Sequence, residues 1–151
     1  MTNDKYAPMQ AHSMPGHLIR RLHQVSTQYF AARMRASRLE VTPVQFAALD
    51  AIRCRPGIDQ VSVAALIAYD KVTIGGVIDR LVAKGLVSRR VSAHDRRARE
   101  VRMTARGEKL YRSLLPRVEQ VQEDILARLD THERQQLMAL LRKAIPEDLG
   151  A

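Results

Sequence analysis

The residues best placed to do chemistry in this chain are cations. Lys71 and Arg80 flank Thr73 along one stretch of helical spacing, and Arg96 and Arg97 sit side by side beyond it, directly after Asp95. Such side chains hold phosphates, and the flat, weakly hydrated guanidinium suits a narrow groove of double-stranded DNA. In that reading Arg97 enters the groove and Asp95 orients an arginine rather than meeting a phosphate. A second group lies near the start: His17, Arg20, Arg21 and His23, to which Phe46 adds an aromatic face. Cations beside apolar surface suit a small aromatic acid, its ring buried and its carboxylate paired. The alternative for this second group is solvation, or pairing with acids on another helix.

Other chemistries find no residues to carry them. No nucleophile stands with a base, no carboxylates pair, and Gly75-Gly76 fits no phosphate-cradling loop, so an enzyme is not expected. The histidines, His12, His17, His23, His94 and His132, include no i, i+4 pair and join no carboxylate cluster, so neither metal nor cofactor is expected. Cys54 is the single cysteine, which excludes an internal disulfide framework and fits a reducing cytoplasm. Between Arg53 and Arg55 it is either a redox-sensing thiol or an ordinary structural residue at a helix end.

Composition agrees with the cations. The 151 residues hold 25 Lys plus Arg against 16 acids, a formal charge of +9, which favours a polyanionic partner. Trp is absent and aromatics make up 4%, so base stacking on single strands is not the expected mode. The apolar runs fall far short of a membrane span.

The cations need elements to position them. From Gly16 to Arg38, Leu18, Leu22, Val25 and Tyr29 recur at spacings of 4, 3 and 4, widened by Ile19, Ser26 and Phe30. Residues 1–15, with no apolar core, read as a flexible arm. Thr42 caps a second helix with Pro43 at its first position, and Phe46, Leu49 and Ile52 form its inner face. A short helix follows over Val63–Ala68, with Ser62 as its expected cap. A turn at Tyr69-Asp70 leads to a third, about Lys71–Lys84, whose inner face is Ile74, Val77, Ile78 and Leu81. Gly85 stands where a helix end wants a left-handed residue. Two short helices joined by a tight turn outline a helix-turn-helix.

Beyond Gly85 the period changes to that of strands, Leu86–Val91 and Arg99–Met103, with the polar, cationic segment Ser92–Ala98 as hairpin tip. A basic hairpin after a helix-turn-helix is a wing. Thr104 caps a long helix to about Leu129, striped by Leu110, Leu114, Val118, Val121 and Ile125 and interrupted by Pro116. Asp130 and Glu133 are spaced for a capping box on a last helix bearing Leu137, Leu140 and Leu141. The terminal stripes exceed what one small domain can cover, which calls for a partner chain.

Asp70-Lys71-Val72-Thr73-Ile74 through Asp79-Arg80-Leu81, then Lys84-Gly85-Leu86-Val87, Asp95-Arg96-Arg97 and Thr104-Ala105-Arg106-Gly107, resembles the MarR family of regulators in order and spacing. The resemblance implies a mainly α fold with a small β-hairpin wing. Its winged helix-turn-helix spans about 42–104, between dimerisation helices at about 16–38 and 105–146 of a single domain, 16–151. It implies a homodimer on a near-palindromic operator, a wing reaching the minor groove, and a small-molecule pocket between the DNA-binding and dimerisation regions. The opening Gly16-His17-Leu18-Ile19-Arg20-Arg21 is similar to members controlling aromatic-acid breakdown, nicotinate-pathway repressors among them, which points to an effector such as a hydroxylated nicotinate or a benzoate.

One departure stands out. Family members often carry Ser or Thr, then Arg, where this chain has Gly75 and Gly76. Two glycines inside a helix cost roughly 2 kcal/mol relative to alanine. Either the backbone approaches DNA closely there, or the helix packs tightly on another. The expected function is a ligand-responsive repressor released by a small aromatic carboxylate. The alternative is a ligand-independent architectural or protein-interaction protein of the same fold.

Overall fold

A computed structural model describes residues 9–146, which form a short 3-10 turn, six α-helices and one β-hairpin. Residues 1–8 of the expected arm lie outside the described residues. The rest of that arm is ordered: Gln10–Ser13 make the 3-10 turn, and α1 (Pro15–Ala36) starts at a proline whose fixed φ suits a first helical position.

The central unit holds α2 (Pro43–Cys54), α3 (Gln60–Leu66) and α4 (Lys71–Ala83). Thr42 caps α2 with a full capping box through Gln45, as its sequence requires. The start of α3 differs from expectation. Asp59, not Ser62, is the cap: its carboxylate accepts from the Ser62 amide at 2.9 Å and the Ser62 hydroxyl at 2.6 Å. A charged carboxylate outcompetes a hydroxyl for the free amides of a first turn, so the helix begins earlier. Inward faces of the three helices meet in one core, with Leu49, Ile52, Val63, Ile74, Ile78 and Leu81 at its centre.

The hairpin pairs β1 (Val87–Val91) with β2 (Arg99–Met103) in antiparallel register from Val87↔Met103 to Val91↔Arg99. Its base enters the core through Val87 and Val101. Gly85 has φ +70°, the left-handed value its position required. Gly107 is demanded by proximity: a Cβ there would stand 2.1 Å from the Leu86 carbonyl oxygen. That contact seats α5 (Ala105–Ile125), capped by Thr104, directly on the link between α4 and β1.

The α5 helix runs on through Pro116 and ends at Ile125, earlier than expected, before α6 (Thr131–Ala144) begins behind the Asp130–Glu133 capping box. α1 lies against α5, tied by Arg33 to Asp124 at 2.6 Å and by Arg117 to Ser37 at 2.8 Å. Of α1, only Phe30 and Met34 are buried, and α6 buries no residue at all. No single helix among the described residues is long and apolar enough to cross a membrane.

Candidate DNA interface and effector cleft

The α4 helix turns Ile74, Val77, Ile78 and Leu81 inward and leaves Lys71, Val72, Thr73, Asp79 and Arg80 exposed. Asp70 caps it, accepting from the Thr73 amide at 2.8 Å and the Thr73 hydroxyl at 2.5 Å. Those bonds, the hydroxyl's first, hold the Asp70 carboxyl below its usual range. The Thr73 hydroxyl hydrogen is thereby committed to the cap, while the residue as a whole stays exposed. Sequence reasoning passed over Val72, which is 87% exposed at the free end of the helix. A bare aliphatic side chain there is the kind of surface that meets a thymine methyl.

The two glycines separate their rival explanations. A Cβ on Gly75 would meet the Gln60 amide nitrogen at 3.6 Å, an ordinary contact, and one on Gly76 would meet nothing within 4 Å. Tight helix–helix packing therefore does not account for them.

The wing tip is organised by its own backbone. The Ser92 hydroxyl accepts from the amides of His94 and Asp95, and Ser92 itself is buried. Asp95 Oδ1 accepts from the Arg97 amide at 2.9 Å, so Asp95 fixes the main chain of that arginine rather than its guanidinium. The side chains of Arg96 and Arg97 stay exposed, and among the described residues neither pairs with a carboxylate.

A bond that sequence reasoning missed joins wing and helix. Arg89 of β1 reaches Asp79 of α4 at 2.6 Å and the Gln60 side chain of α3 at 3.3 Å. One guanidinium thus ties the first wing strand to both helices of the helix-turn-helix. Arg90 pairs across the strands with Glu100, and both that pairing and Ser92 keep the Glu100 carboxyl low, Ser92 most strongly.

The five residues expected to hold an effector do not share one cavity within the chain. His23 lines a cleft of about 430 Å³ between α1, α5 and α6, with Ile19, Leu22, Ile125, Leu137 and Leu141 among its walls. Arg20 and Arg21 are exposed on the same helix. His17 stands beside His12, ring centres 5.0 Å apart, and its pKa is lowered by desolvation and by the charges of His12, Arg20 and Arg21. Phe46 is elsewhere, stacked 5.6 Å from the Tyr111 ring between α2 and α5. The separation has a simple cause: α1 docks on α5 by its C-terminal half, so its N-terminal half projects beyond the core that holds Phe46. Among the described residues no three His, Cys, Asp or Glu side chains cluster as a metal site would need. Cys54 is exposed.

Comparison with known proteins bears on the whole arrangement. The profile of the MarR family matches residues 39–98. The transcriptional regulator HosA of Escherichia coli is 35% identical over 127 residues, covering 84% of this chain and 91% of that protein. The HTH-type transcriptional repressor NicR of Pseudomonas putida is 32% identical over 144 residues, covering 95% of this chain and 90% of that one. Among solved structures, BpsR of Bordetella bronchiseptica superposes with a TM-score of 0.83 at 32% identity, over 91% of this chain and 96% of that one. That structure is described as the mechanism for regulation of BpsR DNA binding by 6-hydroxynicotinic acid.

Proposed function

This chain belongs to the MarR family, and from that membership we propose that it is a dimeric repressor released from its operator by a small aromatic carboxylate. It is a DNA-binding transcription regulator of winged-helix fold. The observation that carries the finer reading is that one chain holds both wing arginines without a carboxylate partner among the described residues and an apolar cleft edged by His23 between α1, α5 and α6.

In this reading α4 lies in the major groove, with Lys71, Thr73 and Arg80 meeting DNA and Gly75 and Gly76 letting the backbone approach. Arg96 and Arg97 carry the wing into the minor groove, and Asp95 holds the tip in shape. A second copy covers the α1 and α6 faces, where Leu18 is 55% and Leu140 62% exposed. Two-fold symmetry then asks for a near-palindromic operator. The effector's ring enters the α1–α5–α6 cleft, with Arg21 and His23 for its carboxylate, and His17, Arg20 and Phe46 near the site once two chains combine. NicR and BpsR, both similar over nearly the whole chain, favour a hydroxylated nicotinate as the first acid to try.

The ligand acts only through differential affinity. It must prefer a dimer whose recognition helices are misplaced for successive major grooves. The test is a thermal-shift screen with 6-hydroxynicotinate and benzoate, followed by operator binding with each acid present. A raised melting temperature together with weaker operator binding is expected, since a ligand of the folded state stabilises it. Operator affinity unmoved by every acid that binds would sink the repressor-release reading.

A further inference from the structure

The outward face of α4 is built around an aliphatic side chain rather than a polar one. At ~100° per residue, Val72 stands opposite Leu81, which is buried in the core, and Val72 itself is 87% exposed. One turn on along the same line is Gly76, with Gly75 beside it, so no side chain rises next to the valine there. Two turns on is Asp79, whose carboxylate is held by Arg89 at 2.6 Å. Thr73, the next residue, has given its hydroxyl hydrogen to Asp70.

The fold has no use for this arrangement. A β-branched residue and two glycines all weaken a helix, and neither glycine is required by a packed neighbour. Valine does bring one property that alanine and serine lack. Its χ1 keeps one strongly preferred rotamer in a helix, so its methyls stand in fixed positions. The Asp70 cap fixes the turn that carries them, through the Thr73 amide at 2.8 Å. A rigid apolar knob thus rises from a floor of bare backbone, between the exposed cations Lys71 and Arg80. Double-stranded DNA offers such a knob one complement. In the major groove the C5 methyl is the apolar group on a base edge, whereas the others donate or accept hydrogen bonds.

We propose that Val72 is a specificity-determining residue that reads the C5 methyl of a pyrimidine, from thymine or from 5-methylcytosine alike. The inference rests on the reading in which α4 lies in the major groove. Neither Gly75 nor Gly76 brings a hydrogen-bonding side chain beside Val72, so the methyl decides the contact and not the base that carries it. Cytosine methylation inside a half-site thereby becomes a mark to which the protein responds.

The test begins with an operator selected by the full-length protein from random DNA duplexes. Each thymine of both half-sites is replaced in turn by deoxyuridine, which removes the methyl and keeps the pair. At one position per half-site the parent should lose affinity roughly fourfold, the ~0.8 kcal/mol of one buried methyl-sized group at ~1.4 kcal/mol per tenfold. Val72→Ala should bind the thymine and deoxyuridine duplexes equally. With a C·G pair at that position, 5-methylcytosine should bind the parent roughly fourfold tighter than cytosine does, and Val72→Ala should not distinguish them. Val72→Ala should melt no lower than the parent, since so exposed a side chain contributes little to folding. The proposal falls if the deoxyuridine scan of the parent is flat. It falls if Val72→Ala keeps the same sensitivity, because another group then meets the methyl. It falls too if 5-methylcytosine and cytosine bind alike, or if Val72→Ala melts early or loses all operator binding. Each of these outcomes leaves the regulator reading in place. A selection that returns no preferred sequence would overturn that reading, and the methyl contact with it.

Discussion

Arg89 and Asp79 bind the wing to the recognition helix: the guanidinium on β1 lies 2.6 Å from the carboxylate on α4. Asp79 is 62% exposed, so the pair contributes at most about 1 kcal/mol to stability. Its consequence is orientation. Arg89→Ala should lower the melting temperature by no more than a few degrees, yet weaken operator binding by loosening the wing against α4. Melting and operator titration on the same preparation decide this. Equal affinity for parent and variant would show that the wing keeps its place without the tie.

Gly76 offers the opposite combination. With open space around its missing Cβ, Gly76→Ala should stabilise the fold by up to about 1 kcal/mol through helix propensity alone. If the backbone approaches DNA at this turn, the same variant should bind the operator more weakly. A more stable protein with unchanged affinity would remove the close-approach explanation.

Arg97 gives a loss of affinity without a loss of fold. Its amide is held by Asp95, but its guanidinium is free of the core, so Arg97→Ala should change stability by less than ~0.5 kcal/mol. Operator affinity should fall about tenfold, most on sites with A·T-rich flanks, where the minor groove is narrowest. Arg97→Lys should recover part of it, since lysine keeps the charge but sheds water less readily. A variant that melts early would make Arg97 structural instead.

Tyr111 predicts a pH window. Burial first, and then its hydrogen bond to Asp50, pushes its hydroxyl from 10.0 up to about 12. The fold thus favours the neutral phenol. That contribution is complete below the unfolded value of 10.0 and is lost as pH climbs through about 12. Chemical denaturation across this window should show the parent losing stability more steeply than Tyr111→Phe. Parallel losses would show that Tyr111 is not the titrating group.

Leu140 tests the dimer. It is 62% exposed on α6, so Leu140→Glu costs the isolated chain little. Light scattering at micromolar concentration should find a dimer for the parent and a shift toward monomer for the variant. A parent that is already monomeric would refute the covered-face reading outright.

The order of elements was legible because it depends on local rules. Thr42, Thr104 and Asp130 each accept from the amide three residues on, and spacing alone reveals that. Gly85 was legible for the same reason. What escaped were choices between neighbours and pairings across the chain. Asp59 and Ser62 both suit a cap, and only the packed helix shows the carboxylate taking both bonds. Tyr111 and Asp50 stand 61 residues apart, and nothing in their spacing announces the bond. The α1 stripe was visible, but not which end of it docks: Phe30 and Met34 are buried, while Leu18 and Tyr29 wait on the surface. Spacing is equally silent on where Phe46 stands within the chain, stacked on Tyr111 and not in the cleft that His23 lines.

The seating of α1 on α5 also sets a timetable for a ribosome. Arg33 and Asp124 are 91 residues apart, so the first long helix is made well before its cover. At ~5–20 residues per second, the apolar side of α1 is left uncovered for roughly 5–18 s while the central unit is already being completed. Phe30 and Met34, the two residues of α1 that the finished fold buries, go without that cover during the interval.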